Sequence, residues 1–91
     1  MSKAKLYKND GTILEVVPSN GIDFQLKELQ EMVGGYIEIV SAGKGKIMVI
    51  DDEGKLKGKP VNDAATMIFM QAGGYDIIAG DALVCDSEMV K

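Results

Sequence analysis

Leu29-Gln30-Glu31-Met32-Val33-Gly34-Gly35-Tyr36-Ile37-Glu38-Ile39-Val40 is the stretch that decides the fold. Leu29 and Val33 recur at helical spacing with Met32 between them, and Gly34 supplies the left-handed backbone that closes a helix without a Cβ penalty. Gly35 lets the chain turn sharply. From Tyr36 the period changes to two, with Ile37 and Ile39 on one side and Tyr36, Glu38 and Val40 on the other, the pattern of a strand covered by the helix before it. The stretch describes an architecture and contains no reactive group.

Upstream, Lys3 to Lys8 reads as a short strand with Ala4, Leu6 and Lys8 on one side. Asn9-Asp10-Gly11-Thr12 is a hairpin signal, since a type I′ or glycine-bulged turn needs positive φ. Ile13 to Val17 returns as a second strand that Pro18 ends. After the Ser19-Asn20-Gly21 loop, Asp23 is the expected N-cap of a helix running to Val33.

Downstream, Ser41 to Lys46 is a turn, and Ile47-Met48-Val49-Ile50, apolar on both sides, belongs inside the sheet. Asp51-Asp52-Glu53-Gly54 turns the chain. Lys55-Leu56-Lys57-Gly58-Lys59 alternates as an edge strand or extended segment whose lysines discourage edge-to-edge pairing. Asn62 caps a second helix, with Asp63 at its positive end, running to Ala72 and stopping at Gly73-Gly74-Tyr75. Ile77 to Cys85 is the final strand, bent at Gly80-Asp81, and residues 86–91 are expected to fray.

The expectation is an α+β domain: a mixed or antiparallel sheet of five to six short strands in the order β-β-α-β-β-(β)-α-β, with two helices on one face. Asp10-Gly11, Pro18 with Asn20, and Gly34-Gly35-Tyr36 are echoed in order by Glu53-Gly54, Pro60 with Asn62, and Gly73-Gly74-Tyr75. That echo reads either as two β-β-α-β units or as chance recurrence of turn residues.

Ninety-one residues give room for one small domain, spanning 1–91, which buries somewhat over roughly 60% of its unfolded surface. No apolar run reaches the ~18 residues of a membrane span, and Met1 to Lys5 has no signal-peptide core behind it, so the expected compartment is the cytoplasm. A single cysteine, Cys85, cannot form an internal disulfide. The net charge of −4 opposes general nucleic-acid binding, and all ten basic residues are lysine. Without arginine there is no planar fork for bidentate reading of guanine or phosphate.

The absence of histidine removes the side chain best suited to proton transfer near neutrality and the commonest zinc ligand. Cys85, within Leu83-Val84-Cys85, reads as a packed thiol. Asp51-Asp52-Glu53, with Asp76 or Asp81, could in principle hold magnesium or calcium, but lacks EF-hand spacing and reads more simply as a solvated turn. Gly43-Lys44-Gly45 lacks the rest of a phosphate-binding loop. Lys44, Lys46, Lys55, Lys57 and Lys59 face only Asp51, Asp52 and Glu53 within their window, making it net positive in an acidic chain. That is either a protected edge or a docking rim.

The second helix carries more apolar surface than one contact covers. Val61, Ala65, Ile68, Phe69 and Ala72 form the core stripe, while Ala64, Met67 and Met70 add a flank. Methionine is an adaptable contact residue.

Leu29-Gln30, Val33-Gly34-Gly35-Tyr36-Ile37-Glu38, Asp52-Glu53-Gly54-Lys55-Leu56, Pro60-Val61-Asn62 and Ile77-Ile78-Ala79-Gly80-Asp81, in that order, resemble the family known as domain of unknown function 3846. The resemblance spans Phe24 to Cys85, and Lys59 stands where the family often has leucine before its proline. It implies a compact α+β domain in a phage or mobile-element setting and brings no activity, cofactor or catalytic residue.

The reading is therefore a non-enzymatic interaction module with no cofactor. Its surface is Ala64, Met67 and Met70 with Lys55, Lys57 and Lys59, and its partner is another copy or another protein. The alternative is a small-ligand, nucleotide-like site at Gly34, Gly35, Tyr36, Gly73, Gly74 and Tyr75, where backbone amides and tyrosine faces could bind. A third, carboxylate-metal catalysis, rests on the acidic run alone. Neither sequence-specific nucleic acid nor a membrane is an expected partner.

Overall fold

Alternation along the strands explains the architecture. The structure is a computed structural model describing residues 4–90, so Met1 to Lys3 and Lys91, on which the start of the expected first strand and the end of the expected tail fall, lie outside the described residues. Its elements are β1 (Ala4–Tyr7), β2 (Ile13–Val16), α1 (Leu26–Val33), β3 (Ile37–Gly43), β4 (Lys46–Asp51), α2 (Asp63–Gln71), β5 (Ala82–Asp86) and a short 3-10 turn, Ser87–Met89. The five strands form one antiparallel sheet in the order β2-β1-β5-β4-β3. The apolar β4 lies inside it, as its sequence implies, and β5 occupies the centre.

The helices lie on opposite faces of this sheet, not on one. Register pairs Val49 with Leu83 and Ile47 with Cys85, and these side chains pack with Leu6, Leu29 and Val33 under α1. The intervening residues, Met48, Ala82 and Val84, point the other way and pack with Ala65, Ile68 and Phe69 of α2. The physical reason is period two: a strand oily on both sides needs a cover on each. Two small cores result.

Several boundaries differ from the sequence expectation. α1 is capped by Gln25, not Asp23, because Phe24 is held extended against the C-terminal segment, its N–H donating to Met89 O at 2.8 Å. The Gln25 N–H is received by Glu28 Oε2 at 2.9 Å, whereas Asp23 accepts from the Asn20 and Gln25 amides. The same pairing corrects the expectation of a frayed tail: Met89 is buried beneath α1 and Val90 bridges to Phe24.

Residues 55–59 form no strand. They are a run of turns, with Lys57 N–H donating to Glu53 O and Lys59 N–H to Gly54 O. Leu56, the one apolar side chain in the alternation, is 86% exposed. The final strand begins at Ala82, since Gly80 takes φ 87° and Ala79 pairs with Val61 instead. The echoed half of the chain consequently lacks its second strand.

Gly34 closes α1 at φ 81°, its N–H donating to Gln30 O at 2.8 Å. The second doublet also uses a positive φ, 99° at Gly73, and adds a further constraint: a Cβ on Gly74 would lie 2.5 Å from the Phe69 ring.

Candidate functional site

Asp51 organises one end of the sheet. It ends β4 in phase with Ile47 and Val49, so its side chain enters the α1 face and is fully buried. A lone buried carboxylate would be prohibitively costly. Lys57 Nζ reaches it at 2.9 Å, Lys59 Nζ at 2.6 Å and the Glu53 N–H at 2.9 Å. Burial raises its pKa, but the bonds from Lys59, Lys57 and Glu53 outweigh burial and bring it down to about 2.

The same ammonium groups satisfy the end of α1, Lys59 Nζ donating to Val33 O at 2.8 Å and Lys57 Nζ to Gly34 O at 3.3 Å. Cations belong at a helix C-terminus, where carbonyls are unpaired. Gly35 has no room for a side chain here, since a Cβ would stand 2.5 Å from Lys57 Nζ.

This arrangement disperses the positive rim. Lys57 and Lys59 are turned onto Asp51, Lys46 pairs with Asp86, and Lys55 pairs with Asp76. It disperses the acidic cluster too, because Asp81 serves Lys8 and the Asn9 N–H. Among the described residues, no three histidine, cysteine, aspartate or glutamate side chains are grouped to hold a metal ion. Cys85 is completely buried, and burial pushes its thiol up to about 11, well above the range of a reactive thiolate.

The six residues of the ligand reading are not brought together. Gly34, Gly35 and Tyr36 line an open groove of about 390 Å³ with Lys27, Gln30, Glu31, Glu53 and Lys57. Gly73, Gly74 and Tyr75 follow α2 on the opposite face; Ala72 stands by Gly43 at the far end of β3. The proposed interaction residues also divide. Ala64, Met67 and Met70 lie exposed on the outer side of α2, while Lys57 and Lys59 are committed beneath the sheet at the end of α1.

A smaller groove of about 100 Å³ lies between Phe69, Ile77 and Ile78 of the α2 layer and Glu38, Val40 and Ile50 of the sheet. Its mouth carries Lys55 and Asp76, already paired with each other. Neither groove holds a nucleophile beside a base.

Sequence reasoning missed two positions. Placing Asp51 in a turn with Asp52 and Glu53 overlooks its period-two phase with Ile47 and Val49, which assigns it to the core face. The cap expected at Asn62 forms, its Oδ1 accepting the Ala65 N–H at 3.1 Å. Its amide also donates to Tyr7 O at 2.8 Å and Gly80 O at 2.9 Å, tying α2, β1 and the approach to β5 into one junction. Nothing local in the sequence marks those long-range carbonyls.

These features define a class: a small α+β domain on one antiparallel sheet with a helix on each face. Residues 6–89 match the family model described as "Domain of unknown function (DUF3846)", and the chain belongs to that family. No curated protein and no solved structure matches it. No helix among the described residues is long and apolar enough to cross a membrane.

Proposed function

We propose that the protein is a non-enzymatic interaction module that binds a partner protein through the outer flank of α2, acting as an accessory protein in the cytoplasm. A phage or other mobile element is the setting that its family resemblance supports. The observation carrying this reading is the exposure of Met67 and Met70, at 62% and 49%, one turn apart on a helix whose opposite side fills a core. Flexible thioethers on an open helical face suit a groove on another protein.

The flank is tested by placing a photo-crosslinking residue at position 67 in cells, with Leu56, also exposed, as the control position. A discrete protein adduct at 67 that Met70→Glu removes supports the reading. Adducts no different from those at 56 refute it.

A small-ligand function retains one supporting observation, the groove beside Gly34, Gly35 and Tyr36. Its open mouth and the commitment of Lys57 to Asp51 favour it less than the helix flank. Native mass spectrometry of the purified chain separates the two: a retained small molecule supports the groove, and bare protein supports the flank.

A further inference from the structure

We propose that the protein self-associates through the free edge of β3, pairing it antiparallel with β3 of a second copy about Ile39 to make one continuous sheet across the dimer. This is a different surface from the α2 flank and does not depend on it.

β3 lies at one margin of the sheet, hydrogen-bonded only to β4. The phase of that pairing fixes what the outer margin presents. Asp52 N–H donates to Tyr36 O at 2.8 Å, so Tyr36, Glu38 and Val40 direct their backbone groups toward β4. In an antiparallel ladder the alternate residues face away. Ile37, Ile39 and Ser41 therefore present their N–H and C=O groups outward, and among the described residues nothing on that side pairs with them.

Edge strands are normally blunted by brevity, charge, proline or a bulge. The other margin follows that rule: β2 has four residues, Glu15 among them, with Pro18 just beyond. β3 has seven residues and one charge, Glu38. Its register shift lies between Ser41 and Gly43, leaving 37–41 regular. Ile39 is 47% exposed on the α1 face, because α1 covers β4 and β5 and leaves this margin open.

The edge is its own complement. With Ile39 opposite Ile39 of the second copy, Ile37 meets Ser41 and every outward donor finds an outward acceptor. Glu38 then lies across from Val40. Shifting the axis to Glu38 would set two carboxylates directly opposite in a close, non-hydrogen-bonded pair, which is destabilising. The symmetric register brings the two half-exposed Ile39 side chains together and closes on itself, so it stops at two copies. This self-matching spacing selects a second copy over an unrelated strand.

The full chain is examined by multi-angle light scattering and hydrogen exchange from low to high micromolar concentration. The expected result is a dimer in which the Ile37, Ile39 and Ser41 amides gain protection with concentration, while the Glu38 and Val40 amides are protected throughout. Ile39→Lys places like charges at the axis and should weaken dimerisation at least about tenfold. Ser41→Pro removes an outward backbone donor and leaves the β3–β4 ladder in place, giving up only the Gly43 N–H bond to Ser41 Oγ at 3.2 Å, and is a second variant independent of the first. Wild-type chain that remains monomeric at high micromolar concentration overturns the proposal. So does a dimer dissociated by Met70→Lys but not by Ile39→Lys, an outcome that leaves the α2 surface intact.

Discussion

Asp51→Asn should remove a pH-dependent part of the stability. The folded carboxyl titrates at about 2 against an ordinary value of 3.8, and at about 1.4 kcal/mol per pH unit this corresponds to roughly 2.5 kcal/mol. Because Lys57 and Lys59 are 38% and 25% exposed, solvent screening reduces the expectation to about 2 kcal/mol. A depressed acid pKa stabilises the folded chain fully above the unfolded value. The contribution is lost as pH falls from about 4 through about 2. At neutral pH, Asp51→Asn should therefore lower stability by about 2 kcal/mol, or the melting temperature by roughly 10 °C. Urea titrations of both proteins across this range provide the assay. Other carboxylates titrate in both chains, so their effects cancel to first order in the difference. The gap should narrow toward pH 2. A gap that is constant with pH, or widens on acidification, would refute the role assigned to the buried ion pairs.

Asn62→Ala should cost about 2–4 kcal/mol in urea unfolding, since it uncaps α2 and strands two carbonyls at the junction. Asn62→Asp should fare no better, because it keeps the capping oxygen but turns a second oxygen toward Tyr7 O and Gly80 O. Gly54→Ala should lower stability by about 1–3 kcal/mol by thermal melting, since the new Cβ would lie 2.6 Å from Ala79 O, a backbone atom with little freedom to yield. Cys85 should resist a thiol reagent in the folded protein and react fully in denaturant, with a rate that tracks unfolding. Rapid modification under native conditions would contradict its burial.

What the sequence disclosed was local. Gly34 after a helical repeat, Asp10-Gly11 between apolar runs and Asn62 before Asp63 each mark a structure that their own neighbours determine. The α+β class and antiparallel strands follow from those signals. The side of the sheet on which each helix lies depends on register between distant strands, and no short stretch around α1 or α2 contains that pairing. Still, Met48-Val49-Ile50 and Ala82-Leu83-Val84 are apolar on both sides, which already calls for two covers. The strand expected at Lys55 to Lys59 fails to form for a different reason. Alternating lysines match an edge strand, but the buried Asp51 draws Lys57 and Lys59 back through turns, and that attraction is visible only once β4 places the carboxylate in the core.

Opposed helices also determine where an interaction surface can lie. α1 covers β4 and β5 on its side and α2 lies over β3 and β4 on the other, so the part of the sheet left open is the β1–β2 half of the α2 face, where Lys5, Ile13 and Glu15 are exposed. Beyond that half-face, the exposed surface includes the outside of α2, the groove where α1 ends, and the margin of β3. The lysines cannot readily serve as a rim as well, because four of those between 44 and 59 are already paired with Asp51, Asp76 or Asp86. Releasing Lys57 or Lys59 for a partner would weaken the tie holding the end of α1 to β4. Recognition without disturbing the fold therefore falls to apolar side chains and unpaired backbone, at Met67 and Met70 on the helix and at Ile37, Ile39 and Ser41 on the edge.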